Sequence, residues 1–468
     1  MNQISFGTDG WRAIIAKEYT FDNLSVVTQA TGRWIVDDNI TKNGVVLGYD
    51  ARFMSREFAE HVASVFAAME IPVRISSSIS PTPAVSWAAL HYDAVGIVIT
   101  ASHNPPNYNG YKIKAPFGGS ATPDQVAAVE SRLDDYDDTL DTLRFDEYLK
   151  LGLIREISLT EQYLNVIRKI IDIEAIQNSG LQIGHDPMFG SGMGAIKQLL
   201  GNQVHELHAE VNPSFKGIPP EPIEKNLQEF SKFITEHNCQ IGIANDGDAD
   251  RVGLMDENGT FVDSHRILSL LVKYLNQEKG LTGKIVKTFS TTNMLNKQAE
   301  AYGLPIETTP IGFKYIAEKI VSEDVLAGGE ESGGMSVKGH IPERDGLYIG
   351  LVVTEMLVKT GKKLSELVDE LFDEFGNHAY YRNDLHTEER KKLAMIDFCE
   401  SGKLTEINGI DVIEREFIDG IKHHLANGSW LLVRPSGTEP VLRIYSEAPT
   451  AEQAKSLVEY VTAKVEDL

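Results

Sequence analysis

Ser102 stands in the run Thr100-Ala101-Ser102-His103-Asn104-Pro105, with Lys112 a short way downstream. A serine hydroxyl beside an imidazole and an ammonium can be polarised into a nucleophile or a phosphoryl carrier. The same residues also describe an Asn-Pro turn with a capping serine. Farther along, Asp246, Asp248 and Asp250 alternate with Gly247 and Ala249. Alternate side chains of extended backbone share a face, so these carboxylates converge. Like charges so close repel unless a cation lies between them, and oxygen ligands suit Mg²⁺ or Ca²⁺. A Glu at the twelfth position, Glu257, suggests an EF-hand, but the sixth position is Arg251 instead of the required Gly. A solvated acidic turn is the simpler alternative, and an open Mg²⁺ site beside a phosphate fits better. Glu330, Glu331 and Ser332 offer acceptors and a hydroxyl to a sugar, or else cap a helix. Arg434-Pro435-Ser436-Gly437-Thr438 can cradle phosphate oxygens, or form an ordinary turn. His340 is a lone loop histidine, a type more often at the surface than in catalysis.

Elements that would position these groups are visible around them. Ala94 to Ile99 is a short β-branched apolar run, and Pro105, Pro106 and Gly110 forbid regular structure after Ser102. The serine therefore sits past the carboxyl end of a strand, where open α/β sheets bind ligands. Gln240 to Ala244 leads into the aspartates in the same way, and Val325 to Ala327 leads into Gly328-Gly329-Glu330. Upstream, Phe6 to Arg12 reads as a glycine-punctuated loop, Ser55 to Met69 as an amphipathic helix, and Thr122-Pro123 as a helix start. Helices at Leu347 to Lys359 and Leu364 to Phe375 close a third unit. After Gly376-Asn377 the strand–helix alternation is lost and the tail reads as α+β.

A chain of 468 residues suggests three or four domains. Its net charge of −24 argues against nucleic acid or an anionic membrane as partner. Cys239 and Cys399 have neither metal-ligand nor redox spacing, which points to a reducing compartment. No run is long enough to span a bilayer, so a cytoplasmic protein is expected.

Together the motifs resemble the α-D-phosphohexomutases. Thr-Ala-Ser-His-Asn-Pro, Asp-Gly-Asp-Ala-Asp-Arg, Gly-Glu-Glu-Ser-Gly-Gly and Arg-Pro-Ser-Gly-Thr-Glu-Pro occur in that family's order, after a similar Gly-Thr-Asp-Gly-Trp-Arg opening. The resemblance implies three related α/β domains with mixed sheets and a C-terminal α+β domain of TATA-binding-protein-like shape around a central cleft. The expected limits are 1–150, 151–256, 257–375 and 376–468. It implies that Ser102 carries the phosphoryl group, with Mg²⁺ held by that phosphate and by Asp246, Asp248 and Asp250. Arg251 and Arg12 would neutralise phosphoryl charge, and Lys112 would help move the proton of the attacking hydroxyl. Glu330 and Ser332 would read sugar hydroxyls, with His103, Lys314 and Arg443 also in the substrate set. Arg434, Ser436, Gly437 and Thr438 would hold the phosphate that is not reacting. Family members of dual mannose and glucose specificity end the sugar loop in histidine, where this chain has Gly334. The segment Gly339 to Leu347 is similar to the glucose-type enzymes, so His340 is expected to stand in for the missing group.

The reading is a Mg²⁺-dependent phosphohexomutase that interconverts hexose 1- and 6-phosphates through a 1,6-bisphosphate, with glucose favoured. Glucose 1,6-bisphosphate would serve as activator and intermediate. Mannose and glucosamine phosphates are the alternatives within the family. A non-catalytic phosphosugar-binding protein or a Mg²⁺-dependent phosphatase are the readings from other classes. The intact serine and aspartates argue against the pure binder. A phosphosugar is the expected partner, and the protein would be a monomer or dimer.

Overall fold

The architecture comes from a computed structural model describing residues 4–7, 10–436 and 441–468. The first sheet contains β1 (Trp11–Ile14), β2 (Val45–Tyr49), β3 (Val73–Ser76), β4 (Val95–Ile99), β5 (Tyr108–Lys114) and β6 (Ile154–Ile157), ordered β1-β5-β4-β2-β3-β6. Strands β2, β3, β4 and β6 are parallel, while β5 runs antiparallel to β4 and β1 antiparallel to β5. The second sheet has β7 (Ile183–Asp186), β8 (Val204–Glu206), β9 (Ile241–Asn245), β10 (Val252–Met255) and β11 (Phe261–Val262), in the order β11-β10-β9-β7-β8. The third has β12 (Lys284–Thr288), β13 (Ile306–Thr309), β14 (Val325–Gly329) and β15 (Met335–Val337), in the order β13-β12-β14-β15.

One device recurs in all three. A fully buried apolar strand of the parallel core ends in a polar loop, and the chain returns as an antiparallel strand: β4 to β5, β9 to β10, β14 to β15. The apolar runs are legible in the sequence; the return strands are less so. Trp11 and Arg12, expected in a loop, begin strand β1, because Trp11 and Ala13 turn into the core while the backbone pairs with β5. Strands β6 and β11 lie past the expected limits at 150 and 256, since each pairs onto the sheet that precedes it.

The fourth sheet is wholly antiparallel: β16 (Ala379–His386), β17 (Glu406–Ile407), β18 (Ile410–Glu416), β19 (Ile421–Leu425), β20 (Trp430–Pro435) and β21 (Val441–Ala448), ordered β16-β21-β20-β19-β18-β17. Helices Glu389–Glu400 and Ala451–Asp467 pack on it through Met395, Leu457 and Val461, giving the expected α+β unit. The first and fourth sheets have cores of their own, but the second and third share one. Helix Gly346–Thr360 is buried almost all round and joins that shared core. No helix among the described residues is long and apolar enough to cross a membrane.

Candidate active site

The loop after β4 and the loop after β9 meet. Ser102 is buried with φ +52°, a left-handed conformation that is costly for a residue with a side chain and that turns its hydroxyl toward the second unit. Its Oγ donates to Asp246 Oδ2 at 2.8 Å and lies 3.3 Å from His103 Nδ1. The approach requires glycine next door. A Cβ on Gly247 would fall 2.4 Å from the Ser102 carbonyl oxygen.

Asp246, Asp248 and Asp250 are fully buried, each offering an oxygen, and these oxygens lie within 4.8 Å of one another. Burial, reinforced by the Asp250 and Asp248 carboxylates, pushes Asp246 well above the usual carboxylate range. Lys112 offsets part of this charge, its Nζ donating to Asp248 Oδ2 at 2.8 Å and Asp250 Oδ2 at 3.1 Å. Asp250 Oδ1 is buried and accepts no hydrogen bond from the described residues. An orphaned carboxylate oxygen within an all-oxygen donor set fits a hard divalent cation. Arg251 follows directly, its backbone N–H donating to Asp246 Oδ1 at 3.0 Å and its Nε lying 3.9 Å from Asp250 Oδ1. Burial, then Arg251 and Arg12, hold His103 well below the ordinary histidine range, so its imidazole is neutral at pH 7. Arg12 Nη1 donates to Asn104 Oδ1 at 2.8 Å, which puts it on the serine loop.

The loop after β14 is stitched to the aspartates by backbone. Val252 N–H donates to the Gly333 carbonyl at 3.1 Å, and Arg251 bridges to Gly334. Burial lifts Glu330 to about 7, although Arg344 opposes this. Ser332 is half-exposed in this turn, and Lys314 is half-buried with its ammonium 5.1 Å from the Tyr315 ring. Neither Ser332 nor Lys314 is brought onto the serine–aspartate group by a hydrogen bond between described residues.

His340 corrects the expectation. Its side chain is neither at the surface nor against Ser102; Nε2 is 2.7 Å from Asp345 Oδ2 and the ring stacks on Tyr348 at 4.0 Å. Asp345 also accepts from the Tyr163 hydroxyl and caps helix Gly346–Thr360, so His340 braces a helix start. The space beside Gly334 is taken by Arg344 instead, because a Cβ on Gly334 would lie 2.3 Å from Arg344 Cδ. Arg344 Nη2 donates to Asp250 Oδ2 at 2.7 Å and Nη1 is 3.8 Å from Glu330 Oε2, linking the loops after β9 and β14.

On the fourth sheet Arg434 and Arg443 are register partners across β20 and β21. Arg434 Nε donates to Asp419 Oδ1 at 2.7 Å, and Asp419 Oδ2 accepts from Ile311 N–H at 3.0 Å, tying this hairpin to the third unit. Arg443 Nε is buried with no hydrogen-bond partner among the described residues. Ser436 N–H closes the hairpin on the Val441 carbonyl at 2.9 Å. Gly437 and Thr438 lie outside the described residues.

Four consecutive stretches match descriptions of one family: "Phosphoglucomutase/phosphomannomutase, alpha/beta/alpha domain I" at residues 3–139, domain II at 161–259, domain III at 263–375 and the C-terminal domain at 390–464. The chain belongs to the phosphoglucomutase/phosphomannomutase family. It is 32% identical to "Phosphoglucomutase/phosphomannomutase" of Thermococcus kodakarensis over 97% of this chain and 96% of that one. It is likewise 32% identical to "probable phosphoglucosamine mutase" of Pyrococcus abyssi, covering 99% and 98%. A crystal structure from Thermus thermophilus, provisionally named a phosphomannomutase, is 33% identical with TM-score 0.87, covering 99% of each chain. The protein is thus a mutase, an intramolecular phosphotransferase of the phosphohexomutase family.

Within this mutase, several residues of the site escape motif reading. Arg52 is buried behind the serine loop and donates to four of its carbonyls: Ser102 at 2.6 Å, Asn104 at 2.6 Å, Pro105 at 2.8 Å and Tyr108 at 3.1 Å. Asp50 holds Arg52 Nε at 3.2 Å and accepts from Thr100 Oγ1 at 2.6 Å, while Thr100 Oγ1 accepts from Ser102 N–H at 2.9 Å. Thr82 Oγ1 donates to Asp248 Oδ2 at 2.5 Å, and its N–H to the Asp248 carbonyl at 2.9 Å. The available signal was Asp50-Ala51-Arg52 directly after β2, at the same sheet edge as Ser102.

Proposed function

We propose that the protein interconverts glucose 1-phosphate and glucose 6-phosphate through a phosphoserine at Ser102 and glucose 1,6-bisphosphate. The observation that carries this reading is the Ser102 hydroxyl, buried and 2.8 Å from an aspartate of a convergent carboxylate triplet. Asp246, Asp248 and Asp250 would hold Mg²⁺ together with the serine phosphate. When bound, the ion supplies positive charge that stabilises the transferring phosphoryl group.

The O–P bond at Ser102 breaks as one forms to the sugar hydroxyl. Arg251 and Arg12 neutralise charge that develops on the phosphoryl oxygens. Lys112, its ammonium hydrogen-bonded to Asp248 and Asp250, would help move the proton of the attacking hydroxyl, passing one of its own protons to a carboxylate as it takes that proton up. His103, neutral, orients the serine oxygen. Glu330 and Ser332 would read the sugar, with Lys314 alongside. Arg434, Ser436, Gly437, Thr438 and Arg443 would grip the distal phosphate, and His340 acts indirectly through Asp345. The bisphosphate then turns over in the cleft and returns its other phosphoryl group to Ser102.

Glucose is favoured because Gly334 stands where enzymes of dual specificity have histidine and the Gly339–Leu347 segment is similar to the glucose-type enzymes. Glucosamine phosphate is the second reading, supported by the relatives named phosphoglucosamine mutases. The four-part division, a cytoplasmic location and a monomer or dimer complete the proposal. Assaying glucose, mannose and glucosamine 1-phosphates with the matching bisphosphate tests it, alongside Ser102→Ala. The variant is expected to fold, to carry no phosphate by intact mass, and to lose nearly all turnover. Full activity in Ser102→Ala would overturn the phosphoserine mechanism, and a preference for another sugar would overturn the glucose assignment.

A further inference from the structure

Between the third and fourth sheets lies a cavity of about 420 Å³ that the catalytic reading does not use. Its walls come from Lys287 of β12, Thr308 of β13 and Asn293 on one side, and from Lys422 and His424 of β19, the Asn427-Gly428 turn and the end of β21 on the other. The phosphate loop joins β20 and β21 at their other ends, and none of Arg434, Ser436 and Arg443 lines this cavity, although Lys422 pairs with Leu432, two residues along β20 from Arg434. The two places are therefore distinct.

Lys422 is the unusual group. It is 2% exposed, and its ammonium has no hydrogen bond or ion pair among the described residues. Among the described residues two rings face it, Trp430 with its centroid at 4.2 Å and Phe289 at 4.6 Å. Rings stabilise a buried cation partly, but they do not replace an anion. The neighbouring carboxylates are directed elsewhere. Glu416 is 2.8 Å from His424 Nε2, and Glu447 Oε1 accepts from the Trp430 indole at 3.0 Å and the Asn293 N–H at 3.1 Å, with His378 Nδ1 at 2.9 Å. Lys287 is already spent on the Thr292 carbonyl and Asn293 Oδ1. What the cavity still offers is the Lys422 ammonium, the rim amides of Asn296 and Asn377, both exposed, and the exposed Lys297 ammonium, which gives one bond to the Phe375 carbonyl at 2.7 Å. Glu447 Oε2 also accepts no hydrogen bond from the described residues, so one side of the cavity favours a hydroxyl.

We propose that this cavity is a second anion site, taking a small hydroxylated oxyanion, either a phosphate or a carboxylate, on Lys422 and the rim amides. An occupant would touch both units and tie the fourth sheet to the third. The site does not depend on the catalytic assignments, and its test is a binding measurement.

The test uses the full chain carrying Arg434→Ala, which removes the main cation of the proposed catalytic phosphate loop. It is titrated calorimetrically with inorganic phosphate in one arm and with citrate in the other. Binding in at least one arm is expected, with Lys422→Met in that background weakening it tenfold or more. Loss confined to one arm identifies phosphate or carboxylate as the chemistry. Thermal melts without ligand are expected to show Lys422→Met at least as stable as its parent, since a buried ammonium gives way to an apolar stem. Asn296→Leu with Asn377→Leu, at exposed positions, is expected to weaken binding less and supplies the test if Lys422→Met does not fold. No heat in either arm overturns the proposal, as does an affinity unchanged by Lys422→Met or, where that variant does not fold, by the rim pair.

Discussion

Glu330 and Arg344 show how single side chains set the chemistry around the loop after β14. Burial raises Glu330 from 4.5 to about 7, so between those values the folded protein binds a proton that the unfolded chain releases. A raised acid makes folding stability fall as pH rises through that window. Urea melts are therefore expected to show the parent losing stability relative to Glu330→Gln from pH 4.5 to 7, with the difference levelling above. A constant difference would mean that Glu330 titrates normally. Arg344 bears on the glycine that ends the loop. Its Cδ stands 2.3 Å from any Cβ at position 334, so Gly334→His is expected to destabilise alone and to be tolerated beside Arg344→Ala. In a double-mutant cycle of thermal melts the coupling is expected to exceed about 1 kcal/mol. Additive effects would show that the loop relaxes and that Arg344 does not exclude a larger residue.

At the scale of elements, the unit that repeats is a hairpin: buried strand, polar loop, antiparallel return. Its first half is plain in the sequence, since Val95–Ile99, Ile241–Asn245 and Val325–Gly329 are apolar runs that break into polar, glycine-rich loops. The return strand is legible only in part: Tyr111 to Lys114 reads as a strand, but Tyr108-Asn109-Gly110 looks like a turn although it belongs to the same strand. Partners distant in sequence hide from any local pattern; Thr82 and Asp248 are 166 residues apart, and Arg344 and Asp250 94. His340 was visible but misleading, as its role depends on Asp345 and Tyr348 folding around it. Arg52 belongs to the same class, and its effect can be measured. A lysine there keeps the charge but loses the planar fork that reaches four carbonyls. Losing one or two charge-assisted bonds of ~1.5 kcal/mol is expected to lower kcat roughly ten- to a hundredfold with little change in KM. Steady-state kinetics of Arg52→Lys check this; a raised KM at normal kcat would mean that the loop position is held by other contacts.

For the whole molecule, the distribution of cores decides what can move. The second and third units share one hydrophobic core through helix Gly346–Thr360, so they are bound to move together. The fourth has its own core and meets the third through a small cluster of Phe289, Trp430, Leu432 and Tyr445, plus the Arg434–Asp419–Ile311 bridge. That is the seam suited to a lid. Turnover of a bisphosphate needs such a lid, because the intermediate must reverse its orientation without leaving and the product must leave afterwards. Arg434 sits on the seam with two tasks in the proposed reaction: it binds Asp419, and beside Arg443 it would grip a phosphate. Replacing it with alanine removes one charge-assisted contact of ~1.5–3 kcal/mol, so KM is expected to rise roughly ten- to a hundredfold. The serine and aspartates lie on other units, so phosphoserine formation and metal binding are expected to persist in Arg434→Ala. Weakened grip and a loosened seam together are expected to let bisphosphate escape, seen as free glucose 1,6-bisphosphate accumulating per turnover and as a greater need for added bisphosphate. Asp419→Asn separates the two tasks: it loosens the bridge but leaves the guanidinium, so leakage is expected to rise with KM nearly unchanged. Normal KM and no leakage in Arg434→Ala would make this hairpin an ordinary turn and would leave the fourth unit without a catalytic part.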